Sequence, residues 1–219
     1  MARFCLLASA VLLLAAASAQ AAGAAAAAVP TTPGMDPVRK FVERVQSMRA
    51  NFRQEIVNDR QEVIEEARGR MALKRPGRFR WDYEQPYQRV VVADGDRLWL
   101  YEADLEQVTV RPLAAGLGET PAALLTGARD MLDRFEYVAS WSGDQVSWVR
   151  LRPRSADSDF ESVAIGFTGD KPVQLELDDR LGQQTRVFLS EIELNAKVAD
   201  DTFRLQVPDG VDVIREGEL

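Results

Sequence analysis

Histidine and cysteine, on which much nucleophilic, redox and metal chemistry depends, are nearly missing from this chain. It has no histidine, and its one cysteine is Cys5. A Ser-His-Asp triad, a Cys-His pair, a histidine-bearing zinc site and a histidine-ligated haem are therefore excluded. Carboxylates remain, because two of them can cleave a glycosidic bond between them. The visible pairs are Asp94 with Asp96, Asp178 with Asp179, and Asp200 with Asp201. Each falls where the sequence predicts a turn, a place aspartate takes for backbone reasons. Neighbours on one turn also point apart rather than across a scissile bond. A carboxylate-based hydrolase is the remote alternative. No catalytic residue and no metal ligand are assigned, no cofactor is expected, and the chain is read as not an enzyme.

The N-terminus has the form of an export signal. Arg3 supplies the positive start, Phe4 to Ala17 forms the apolar stretch, and Ala17-Ser18-Ala19 and Ala19-Gln20-Ala21 both fit small-x-small cleavage. That stretch is shorter than the roughly 20 residues a membrane span needs. The sequence predicts a cleaved signal peptide over 1–21, a disordered leader over 22–35 and one domain over 36–219. Cys5 lies at the start of the apolar stretch and not just after it, so it leaves with the signal and cannot be a lipidated cysteine. Stability must then come from packing alone, which about 190 residues can supply in one domain. The balance of 27 basic and 34 acidic residues gives −7, or −8 once Arg3 is lost. That balance opposes nucleic acid and anionic membrane surfaces as partners.

Periodicity supplies the architecture. Asp36 can cap a helix that Pro37 begins, and Val38, Phe41, Val42, Val45 and Met48 recur at helical spacing. From Phe52 to Arg111 the period becomes two, as in Phe79, Trp81 and Tyr83 alternating with Arg78, Arg80 and Asp82. Asp94-Gly95 between Val90-Val91-Val92 and Leu98-Trp99-Leu100-Tyr101 marks a hairpin. Thr120-Pro121 opens a short helix through Ala122 to Thr126, with a further turn over Met131 to Phe135. Strands follow at Glu136 to Trp141, Gln145 to Leu151, Phe160 to Phe167, Val173 to Leu177, Thr185 to Asn195 and Thr202 to Val207. The class is α+β. A sheet of about ten strands curls, and so few short helices cover its hollow side only in part.

Several ordered motifs carry a resemblance. Lys74-Arg75-Pro76-Gly77-Arg78-Phe79-Arg80-Trp81-Asp82-Tyr83 is joined by Phe52-x-Gln54, Val92-x-Asp94-Gly95, Leu98-Trp99-x-Tyr101, Thr120-Pro121 with Leu124-Leu125, and Pro208-x-Gly210-Val211-Asp212-Val213. Together, from about Val38 to Ile214, they resemble the LolA family of outer-membrane lipoprotein carriers. The resemblance implies an unclosed, strongly curved antiparallel β-barrel, a half-barrel with a short-helix lid over a hydrophobic cavity. It implies a periplasmic carrier that binds acyl chains of lipoproteins, receives them from an inner-membrane ABC transporter and delivers them to a LolB-like outer-membrane receptor. A monomer is expected, because exchange with successive partners is easier from an unencumbered cavity mouth. Another amphiphile, a glycolipid or hydrophobic metabolite, is the alternative cargo. The resemblance also implies that Arg75 latches the lid through backbone groups around Val42, Leu125 and Thr126. Phe79 and Trp81 match the family's cavity-side positions, and the further candidates for acyl contact are Met48 at the end of the helix stripe, Leu124 in the central helix, and Trp99 and Tyr101. Trp99 and Tyr101 share one face of their strand and Leu98 and Leu100 the other, and sequence alone leaves open which face is inward.

Overall fold

Alternating apolar and polar residues suit antiparallel strands with one buried face. The computed structural model places twelve such strands in one sheet. It describes residues 34–113, 125, 129–156 and 158–217. The predicted signal peptide, all but the last two residues of the predicted leader, Leu124 and Thr126 lie outside these. Helix α1 (Asp36–Arg44) opens the fold. The strands are β1 (Ser47–Val57), β2 (Val63–Lys74), β3 (Arg78–Gln85), β4 (Arg89–Asp94), β5 (Arg97–Glu102), β6 (Gln107–Pro112), β7 (Phe135–Gly143), β8 (Val146–Pro153), β9 (Phe160–Thr168), β10 (Lys171–Asp179), β11 (Gln184–Leu194) and β12 (Asp212–Arg215).

Their order across the sheet is β12-β6-β5-β4-β3-β2-β1-β11-β10-β9-β8-β7. Every pairing is antiparallel except that of β12, which runs parallel to β6. The two end strands do not meet, so the barrel is unclosed. Its curvature follows from burial. Strands β5 and β8 stand eight places apart, which is about 38 Å across a flat sheet at 4.8 Å per strand. Leu98 on β5 and Leu151 on β8 are nonetheless 2% and 1% exposed within one apolar cluster. A nine-residue helix is about 14 Å long and cannot cover so broad a face unless the sheet bends around it.

Local chemistry fixes the turns. Gly95 takes φ +112 in the β4–β5 hairpin, and the Asp94 Oδ1 accepts the backbone N–H groups of Asp96 at 2.9 Å and Arg97 at 2.8 Å. At the β10–β11 turn, Asp179 Oδ1 accepts the N–H groups of Leu181 and Gln183 at 2.8 Å each.

Three sequence expectations are corrected. The helix ends at Arg44, so Val45 is extended and Met48 lies in β1 rather than at the end of a helical stripe. Val45 and Met48 are three apart, a spacing that also leads into the alternation Met48, Ala50, Phe52 of the strand. Asp36 is the first helical residue and Met35 takes the cap position. The predicted strand over Thr202 to Val207 is instead a 3-10 turn at Asp200–Phe203 followed by an unpaired run. Phe203 and Leu205 alternate, but they pack onto the sheet's outer face through side chains instead of beside a free edge.

Gly69 sits in β2 opposite Phe52 of β1 and Tyr83 of β3. The Phe52 and Tyr83 rings meet across it edge to face, with centroids 5.0 Å apart. A Cβ at Gly69 would stand 1.8 Å from the Asp82 carbonyl oxygen. Gly69→Ala is therefore expected to cost about 2–4 kcal/mol through overpacking and a forced backbone shift. Urea unfolding of the variant measures it, and a change under about 1 kcal/mol would mean the strands separate easily there.

Candidate functional site

The face that α1 covers is the candidate site. Met48 of β1 is fully buried there at 0% exposure, and Phe79 and Trp81 of β3 lie in the same cluster with Phe52, Met71 and Leu73. Phe41 of α1 packs on Phe167 of β9, centroids 6.0 Å apart. Leu125, the described residue of the predicted central helix, is helical and belongs to this cluster at 0% exposure. Three of the residues singled out in the sequence, Met48, Phe79 and Trp81, thus come together. Phe52 stood out there only as part of a motif. Its inward position follows from alternation with Met48 once β1 is known to begin at Ser47.

Trp99 and Tyr101 do not belong to this face. Leu98 enters the inner cluster and Leu100 packs against it, so the two aromatics point outward. Trp99 packs on a second cluster of Ala72, Val92, Val198 and Phe203. Its indole N–H donates to Asp94 Oδ2 at 2.8 Å. Strand alternation forces one pair in and the other out, and the segment over Val198–Leu205 supplies the apolar cover that lets a tryptophan face outward.

Arg75 lies just beyond β2, at the end of the sheet where α1 leads into β1. Its Nε donates to the Val45 carbonyl at 2.8 Å and its Nη2 to the Leu125 carbonyl at 2.8 Å. The guanidinium carbon stands 5.3 Å from the centre of the Phe41 ring. Burial draws its pKa down to about 10, still far above neutrality, so both bonds come from a charged donor. The acceptor on the helix side is Val45, three residues past the expected Val42, whose side chain is buried in the inner cluster. Such an acceptor leaves no trace in sequence, because every residue carries a carbonyl.

Arg75 therefore ties a strand end to two separate pieces of the cover over one apolar face of an unclosed sheet. The family model for outer membrane lipoprotein carrier protein LolA matches residues 43–206. The chain belongs to the LolA family. Relatives include an outer-membrane lipoprotein carrier protein from Chromohalobacter salexigens, 41% identical over 85% of this chain and 89% of its own length. Another, from Methylobacillus flagellatus, is 38% identical over 84% of this chain and 89% of its own. In fold, the chain resembles a LolA superfamily protein from Nitrosomonas europaea, with TM-score 0.50 and 12% identity over 81% of this chain and 99% of that one. An uncharacterized conserved protein from Thermus thermophilus gives TM-score 0.52 at 14% identity over 83% of this chain and 96% of that one.

Two side chains of this LolA family member give contrasting tests. The Trp81 indole nitrogen is buried with no hydrogen-bond partner among the described residues. Its ring packs on Phe52 with centroids 4.8 Å apart. An unpaired buried donor costs about 1–3 kcal/mol, which offsets much of the packing its ring supplies. Trp81→Phe should consequently change stability of the empty protein by less than about 1.5 kcal/mol, read by urea unfolding; a larger loss would show that the N–H is paired. Asp94 behaves oppositely. Its partial burial pushes its pKa up, but the N–H groups of Arg97, Trp99 and Asp96 and the Arg97 charge outweigh that and hold it below the usual carboxylate range. A depressed folded pKa means the stabilisation is complete above the unfolded value of about 3.9 and disappears as pH falls through the folded one. Asp94→Asn turns an amide donor or a lone oxygen towards three donors, and should cost about 1 kcal/mol at pH 7. The gap from the parent should shrink below pH ~3.5; an equal gap at pH 7 and pH 3 would contradict this account.

Proposed function

We propose that this chain is a periplasmic carrier that shields the acyl chains of lipoproteins, taking them from an inner-membrane ABC transporter and giving them to a LolB-like outer-membrane receptor. The observation that carries the reading is Arg75, bonded at once to Val45 and Leu125 above an apolar sheet face. The names of the relatives agree with it. No helix among the described residues is long and apolar enough to cross a membrane. Acyl chains account for the size of the face. A buried methylene contributes about 0.8 kcal/mol, so two or three long chains represent some 20–35 kcal/mol of unfavourable water contact. Polar contacts alone cannot offset that.

Four of the six carboxylates weighed for hydrolysis hold structure. Asp94 and Asp179 order turns, Asp178 accepts from Ser162 at 2.6 Å and Gln184 at 2.7 Å, and Asp200 accepts from Lys74 at 2.5 Å. That supports a carrier without a catalytic step.

As a latch, Arg75 favours the empty, closed form and so lowers apparent affinity for cargo. Each charged hydrogen bond contributes about 1.5–3 kcal/mol. Arg75→Leu should keep the fold while tightening acyl binding by roughly 10- to 100-fold. Transfer to the acceptor should slow to match. Native mass spectrometry with a triacylated lipoprotein and its deacylated form tests cargo class, and a release assay tests the latch. Binding that ignores the acyl groups would end the carrier reading, and identification of a co-purified glycolipid would redirect it. Unaltered transfer by Arg75→Leu would remove the latch.

A further inference from the structure

The corner between α1 and β1 is held by two residues that flank β1 from either side. Arg75 follows β2 and Asn195 follows β11, and β1 pairs with both of those strands. Four consecutive carbonyls are shared between them. Asn195 Nδ2 donates to the Arg44 carbonyl at 3.2 Å, and the Asn195 backbone N–H donates to Ser47 at 2.7 Å. Between these, Arg75 Nε donates to Val45 and the Arg75 backbone N–H to Gln46, both at 2.8 Å. Asn195 Oδ1 also accepts the Gln46 N–H at 2.8 Å. One backbone donor and one backbone acceptor thus fix the orientation of the amide. The Arg44 carbonyl is among the last of α1, groups that lack partners within a helix. Asn195 itself has φ +56, a left-handed conformation that asparagine tolerates better than most residues. The next residue continues the clamp, since Ser47 Oγ donates to the Ala196 carbonyl at 2.6 Å.

We propose that Asn195 is a positioning residue for the Arg75 latch: it locks the residues on either side of Val45 so that the Val45 carbonyl points at Arg75 Nε. The inference rests on the latch reading above. Val45 is gripped indirectly, through Arg44 before it and Gln46 after it. Remove the Asn195 amide, and the peptide that bears the acceptor of one latch bond loses its hold at the Gln46 N–H, so it can turn partly away without any change in Arg75. The Asn195 side chain touches neither the apolar face nor Leu125 through its hydrogen bonds, so its effect on cargo runs only through the corner.

The test is a double-mutant cycle on the full mature chain, with a fluorescent tripalmitoylated cysteinyl peptide as probe. Asn195→Gly removes the amide while accepting the left-handed backbone. It should tighten probe binding about two- to tenfold, as expected for weakening one hydrogen bond of the closed form. In the Arg75→Leu background the same substitution should leave probe affinity unchanged, although it lowers thermal stability similarly in both backgrounds. Asn195→Asp, which keeps the acceptor for Gln46 and loses the donor to Arg44, should fall between parent and glycine. It carries the cycle if the glycine variant does not fold. Equal effects of the Asn195 substitution with and without Arg75 would mean a merely structural role and overturn the proposal. So would an Arg75→Leu effect with no Asn195 effect, which leaves the latch reading standing. No effect of Arg75→Leu on the probe would instead remove the latch reading and this proposal together.

Discussion

An apolar sheet face wider than its helical cover is the constraint under which this molecule is built. Twelve strands supply the face, and α1, the longest helix among the described residues, has nine residues. Bending the sheet shortens the distance to be covered, but an unclosed sheet cannot bury the remainder by wrapping alone. The cover packs into the same apolar cluster as the sheet, through Val38, Phe41, Val42, Val45 and Leu125, and is tied down by polar contacts at points as well. Arg75 is such a point, and its bonds are of modest strength. Part of the guanidinium's solvation is given up on burial, as its lowered pKa records, so the net gain on closing is smaller than the bare bonds suggest. A few kcal/mol set against tens for acyl chains is the ratio a reversible cover requires.

The two faces of the sheet divide the work. Outward positions on β2 and β3 carry charges that pair across and along the strands, such as Arg70 with Glu84 at 2.6 Å and Arg80 with Asp82 at 2.8 Å. Exposed pairs of this kind contribute little each. What stiffens this side is the run after β11, which crosses it and buries Val198 and Phe203 against Ala72 and Val92 before β12 joins β6. Lys74, immediately before Arg75, donates to the Val198 carbonyl at 3.2 Å and to Asp200 at 2.5 Å. The strand end is held from outside at Lys74 while the next side chain, Arg75, reaches inward. Rigidity beneath Arg75 lets its bonds to Val45 and Leu125 act on the cover instead of dissipating in the sheet.

Much of this is legible in the residues. Period-two alternation locates β7 to β11 within a few positions and marks the run from Phe52 to Arg111 that holds most of β1 to β6, because a half-buried strand leaves that mark wherever it lies. The inward side of β3 follows from Phe79 and Trp81 together with the family motif. The outward placement of Trp99 does not, because alternation says which residues share a face but not which face is inner. That is decided by distant chain, here the crossing over Val198 to Leu205. The same crossing explains the misplaced last strand, since Phe203 and Leu205 have a strand's period without a strand's backbone partner. Val45 and Asn195 are silent in sequence for another reason. One contributes only a carbonyl, and the other is a single polar residue at a strand end, where asparagine usually signifies a turn.

The choice of carbonyls as partners for Arg75 is itself informative. A carboxylate in either position would form a desolvated ion pair, whose rupture leaves an uncompensated charge and costs about 3–5 kcal/mol. Opening would then strand an anion beside hydrocarbon, opposing the apolar cargo that the face suits. Carbonyl oxygens leave only neutral dipoles behind, and Arg44 to Ser47 show how readily neighbouring donors share a short stretch of backbone. Backbone acceptors also free the side chains of Val45 and Leu125 to remain in the apolar cluster, Val45 at 2% exposure and Leu125 at none. The same two residues thus pack in the apolar cluster through their side chains and accept from the guanidinium through their carbonyls. Neither role requires a residue that would be out of place in the other.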